Sequence, residues 1–60
     1  MKQGDLVRIK NTQYYLMFFP KLVGRTGVII GLLPRASQEI FEVLVAGEIM
    51  DIETRHLEPA

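Results

Sequence analysis

Ile40-Phe41-Glu42-Val43-Leu44-Val45-Ala46-Gly47-Glu48-Ile49-Met50-Asp51-Ile52 reads as two strands joined by a two-residue turn, and it decides the architecture. β-branched and aromatic residues crowd both arms, and Ala46-Gly47 has the length of a tight hairpin connection. Asn or Asp would suit the first turn position better than Ala46, because the turns that match strand twist demand positive φ there. Upstream, Val28-Ile29-Ile30-Gly31-Leu32-Leu33 is a continuous apolar run that Pro34 ends, and the polar segment Arg35-Ala36-Ser37-Gln38 follows as a loop. It reads as the preceding strand.

Further out, Gly4-Asp5-Leu6-Val7-Arg8-Ile9-Lys10 alternates after a Gly-Asp turn signal, with Val7 and Ile9 on one face and Leu6, Arg8 and Lys10 on the other. Between this first strand and the apolar run lies an insert, Gln13 to Val23, whose Tyr14-Tyr15-Leu16-Met17-Phe18-Phe19 has no strand alternation. Asn11 or Thr12 could cap a short helix over it, and Pro20 would stop that helix. Gly24-Arg25-Thr26-Gly27 supplies the turn that follows. After the hairpin, Glu53-Thr54-Arg55-His56 reads as one helical turn, and Leu57-Glu58 opens a last short strand before Pro59. Five short strands separated by turn signals predict an all-β domain, and closing them into a small barrel would leave few edges exposed.

Residues 1–60 have the length of one domain, and at this size only about 60% of the unfolded surface is buried on folding. There is no cysteine and a single histidine, so neither a disulfide nor a zinc cluster is expected to staple the core. Hydrophobic residues make up 48% of the chain, enough for a packed core, yet no apolar run approaches a membrane span and no signal-peptide core follows Met1-Lys2. The expectation is a soluble, cytoplasmic protein. The net charge of zero hides an asymmetry: residues 1–35 carry six cationic side chains against Asp5 alone, and residues 36–60 carry six carboxylates against Arg55 alone. Either the molecule is a dipole with a basic and an acidic face, or the first and last strands pair and the charges cancel across the sheet.

Gly-Asp-x-Val-x-Ile, an insert, Gly-x-x-Gly-Val-Ile-Ile, Phe-x-Val-x-Val, a Gly hairpin and a terminal Leu-Glu-Pro together resemble the SH3-like barrels of the KOW kind. They also resemble small SH3-like proteins encoded by bacteriophages, marine ones especially. The resemblance spans nearly the whole chain. It implies a five-stranded SH3-like barrel with an aromatic-rich insert between strands one and two, and such barrels host unrelated activities. KOW domains imply RNA, DNA or RNA polymerase as partner, with the loop around Gly24, Arg25, Thr26 and Gly27 near the contact. The chain is neutral where ribosomal members are strongly basic.

Nothing in the chain points to catalysis, a cofactor, a metal or a small-molecule substrate. His56 could shuttle a proton, but the plainer reading is a surface ring packed beside Leu57. Asp51 and Glu53 stand two apart and lack further oxygen ligands for a cation. Gly24-Arg25-Thr26-Gly27 has too few glycines and no following helix to hold a phosphate, so Gly27 is read as permitting a φ or a close approach that a side chain would forbid. Arg8, Lys10, Lys21 and Arg25 are the candidate nucleic-acid contacts, with Tyr14 or Tyr15 for stacking.

A protein partner or a second copy is the first expectation, for two reasons. The insert either exposes Tyr14, Tyr15, Phe18 and Phe19 as a binding surface or folds back as a lid on the core, with the tyrosines at its wet edge. In addition, if Val28, Ile30, Leu32, Phe41, Val43, Val45, Met50 and Ile52 fill the interior, alternation puts Ile29, Leu33, Ile40, Leu44 and Ile49 outside. An apolar outer face needs a cover, supplied by the insert or by another chain.

Overall fold

The computed structural model describes residues 1–34 and 39–60, and the loop expected at residues 35–38 lies outside them. Five strands form one antiparallel sheet in the order β4-β3-β2-β1-β5: β1 (Leu6–Ile9), β2 (Thr26–Pro34), β3 (Glu39–Val45), β4 (Glu48–Glu53) and β5 (Leu57–Pro59). The expected barrel is not closed, because β4 and β5 are the two margins of the sheet and do not pair with each other. The insert forms helix α1 (Gln13–Phe18) and a 3-10 turn (Pro20–Leu22), and a second 3-10 turn (Thr54–His56) precedes β5.

Alternation in β1 and β3 does what the sequence predicts. Val7, Ile9, Phe41, Val43 and Val45 are buried, and Ile52 and Leu57 join them from β4 and β5. Tyr15 completes this core from α1, with Leu22, Val23 and Met50 packed against it. Ala46 at φ 52° and Gly47 at φ 80° both take the left-handed values that a two-residue hairpin needs.

In β2 the expected facing is overturned ahead of a register shift between Ile29 and Gly31. Ile29 belongs to the core, Val28 and Ile30 are half-buried, and Leu32 is exposed. An all-apolar strand carries no alternation to set its own register, so its neighbours set it. Val7 pairs with Gly27 and Val43 with Ile29, both on the inner face. The ladder then steps from Ile29↔Val43 to Gly31↔Glu42, so Ile30 is a bulge, and past it Leu32 stands opposite Phe41.

Gly27 earns its place by close approach and not by φ, which is ordinary there. A Cβ would lie 2.7 Å from Val43 Cγ1 and 2.8 Å from the Leu44 carbonyl oxygen. At Gly31 it would meet only the end of the Glu42 side chain, at 2.9 Å, which can swing aside. Gly27→Ala is therefore expected to lower the unfolding free energy by about 2 kcal/mol while Gly31→Ala is close to neutral, as measured by urea denaturation. Ala46→Asn should raise it by about 1 kcal/mol, since Asn tolerates the left-handed region better than Ala.

Candidate functional site

The insert is anchored at its start by a side-chain bond that reaches across the chain. Thr12 occupies the N-cap position of α1, and its carbonyl accepts from Leu16 N–H at 2.9 Å. Its hydroxyl makes no capping bond and lies 3.0 Å from His56 Nδ1 instead. The pairing of β1 with β5 brings these residues together: Ile9 faces Leu57, and Lys10 N–H donates to the His56 carbonyl at 2.8 Å. His56 is consequently buried, not the surface histidine that its neighbours Glu53 and Arg55 suggest.

Rings then build outward from His56. Tyr14 stacks on it, with centroids 5.4 Å apart and planes 26° from parallel, and Tyr15 meets it edge-on at 5.1 Å. Tyr14 also lies 5.2 Å from Phe18 and 6.1 Å from Phe19, and Tyr15 lies 5.6 Å from Phe19. Neither reading of the insert, exposed surface or lid, holds for all four rings. Tyr15 is 4% exposed, whereas Tyr14 is 49% and Phe18 63% exposed, and Phe19 is also exposed. The helix is too short to hide more than one ring, and its start is fixed by Thr12. Residue 15 therefore faces the core, and the end of the helix projects over the rim. Leu16 and Met17 extend the exposed apolar surface.

Burial holds the His56 pKa below the ordinary imidazole value of 6.5, with Arg55 and Lys10 adding to the shift and Glu53 opposing it. Burial also pushes the Tyr15 hydroxyl above the usual phenolic value, aided by Tyr14 and Glu53. Both groups are neutral at pH 7. The neutral imidazole can donate to or accept from the Thr12 hydroxyl, and the ring serves as a clasp between the insert and the end of the chain.

The outer face of the sheet carries a second apolar feature. Leu6 pairs with Val28, Val28 with Leu44 and Leu44 with Ile49, so these four form one row across β1 to β4. Leu44 is 43% and Ile49 61% exposed, and Leu6 is exposed as well. Of the residues expected outside, Ile29 is in the core, and half-buried Leu33 stands with Ile40 beyond the intervening Gly31, Glu42 and Asp51. Sequence reading missed Leu6 and Val28. Leu6 already stood on the polar side of β1, and its cross-strand partner was the missing piece.

The four candidate nucleic-acid contacts do not converge. Arg8 lies on the outer face 3.6 Å from Glu58 of β5, as charge cancellation between the first and last strands predicts. Lys10 is half-buried beside the His56 backbone. Lys21 and Arg25 stay together and exposed at the foot of the insert, where Arg25 Nε donates to the Lys21 carbonyl at 3.5 Å. Among the described residues no group of three or more His, Asp or Glu could hold a metal ion, and no helix is long and apolar enough to cross a membrane. No protein-family model, curated protein or solved structure matches the chain.

The clasp makes stability depend on pH. The unfolded chain takes up the imidazole proton near 6.5, whereas the folded chain resists it to lower pH, so between the two the unfolded state binds more protons. The stabilisation is complete above 6.5 and is lost as the pH falls below it. Thermal unfolding across that range is expected to show a falling midpoint, and His56→Phe, which keeps a ring against Tyr14 and Tyr15, should flatten the slope. An unchanged slope in the variant would place the titration elsewhere.

Proposed function

We propose that the chain is an SH3-like interaction module without catalysis, and that the surface through which it docks on another protein or on a second copy is the aromatic rim around Tyr14 and Phe18. An SH3-like relation draws support from the meander of β1 to β4, from β5 returning beside β1, and from the insert between β1 and β2. The observation that carries the binding reading is the exposure of a contiguous ring cluster, with Phe18 at 63%. Isolated apolar residues are ordinary on a protein surface, but grouped aromatic rings are the kind of surface that partners bury. Pre-ordered rings lose little conformational freedom on docking. The outer face carries a second apolar area in the row Leu6, half-buried Val28, Leu44 and Ile49.

Sedimentation from micromolar to millimolar concentration tests this reading. Concentration-dependent association is expected, weakened by Phe18→Ser at least about tenfold, the scale of one aromatic anchor. Phe18 is exposed, so the variant should fold. A strict monomer whose tyrosine fluorescence is shielded from iodide would overturn the reading. A strict monomer with accessible rings would leave a different protein as the occupant. Affinity for a single-stranded oligonucleotide that drops steeply with salt and with Arg25→Ala would replace the reading by a KOW-like nucleic-acid one.

A further inference from the structure

The two margins of the sheet are not equivalent, and the difference points to an occupant for one of them. At the β5 margin, Lys10 N–H donates to the His56 carbonyl and Ala60 N–H to the Leu6 carbonyl, so residues 56, 58 and 60 turn their backbone toward β1. Leu57 and Pro59 therefore turn theirs outward. Leu57 N–H is already bonded to the Thr54 carbonyl, and Pro59 has no N–H at all. An incoming strand finds no donor there.

Among the described residues the β4 margin is open. Val45↔Glu48 closes the two-residue hairpin, and such a closing pair exchanges both of its backbone bonds. Alternation then turns Glu48, Met50 and Ile52 toward β3, and leaves the N–H and C=O groups of Ile49, Asp51 and Glu53 facing outward. Among the described residues β4 pairs with β3 alone. What guards this edge is charge. Asp51 stands directly opposite Glu42 on the outer face, and neither forms an ion pair with a described residue. Like charges so placed repel and are relieved by a cation.

We propose that the β4 edge receives an extended segment of a partner protein as a sixth strand, one in which basic residues alternate with apolar ones. Antiparallel addition puts the guest's basic side chains beside Asp51 and Glu53 on the outer face, and an apolar one beside Ile49 at the end of the apolar row. The guest's intervening side chains fall beside Met50 on the inner face, so they are apolar too. Backbone bonds to Ile49 and Asp51 supply affinity and charge supplies selection. A second copy matches this charge pattern less well. Its own β4, paired about Asp51, brings carboxylate against carboxylate, and its β5 lacks the donors. This surface is separate from the aromatic rim, and either can fail without the other.

The test uses the peptide acetyl-Thr-Arg-Val-Lys-Val-Ile-Thr-amide, a version with Glu for Arg and Lys, and a version N-methylated at Lys and Ile. Amide exchange of Ile49 and Asp51, followed by NMR, is expected to slow on adding the basic peptide. Binding should weaken with salt and fall at least about tenfold in Asp51→Lys. The acidic and N-methylated peptides should leave exchange unchanged. Equal binding of either control, no protection at millimolar basic peptide, or protection confined to residues outside β4 would overturn the proposal. So would protection of the same amides in the protein alone as its concentration rises, which would make a second copy the occupant.

Discussion

The approach of β3 to the bare Cα of Gly27 governs how the inner face is built. Val43, Leu44 and Val45 come close enough that a single added carbon would collide with both backbone and side chain. With Val7 opposite Gly27 on β1, no side chain of β2 stands between them here, and Val7, Val43 and Val45 share one interior. That pairing makes the Gly27 face of β2 the inner one, and Ile29 enters the core by standing two residues further along the same face. The bulge at Ile30 then resets the phase, so the remainder of β2 follows β3 and not its own start.

The sheet is not closed into a barrel, and the insert covers its core with one ring, Tyr15. Tyr15, Leu22 and Val23 do the covering, while Tyr14, Phe18 and Phe19 remain at the rim. The two readings of the insert, lid and exposed surface, are therefore both satisfied by different residues a few positions apart. Thr12 and His56 decide the division. By fixing where α1 begins they fix which helical position faces inward. A buried neutral histidine is well suited to this, because its ring offers apolar faces to two tyrosines and a polar edge to a hydroxyl.

Strand count, strand order along the chain, the hairpin at Ala46-Gly47, the short helix and the terminal helical turn were legible because each rests on local chemistry: alternation, turn residues and proline stops. Facing within β2 was not, since every residue from Val28 to Leu33 except glycine is apolar and no period distinguishes one face from the other. Barrel closure was not legible either. It depends on the geometry of two margins that carry no mutual signal in the sequence. His56 looked exposed because its sequence neighbours are charged. Its burial follows from pairing the first strand with the last, which sets residue 56 beside residues 10 and 12, and that pairing was one of the two readings of the charge asymmetry.

The pairing of β1 with β5 also has a temporal meaning. β2, β3 and β4 are joined in sequence order, so their ladders require only short loops to close. Joining Val7 to Pro59, and Thr12 to His56, closes a loop of almost the whole chain, and the entropy of that closure must be met before the contacts return it. The meander is thus the part able to assemble early, and docking of β1 and the insert against the chain's end completes the molecule. Protonation of His56, which sits at this join, opposes the closure. The aromatic rim lies wholly on the part that this long-range closure ties down.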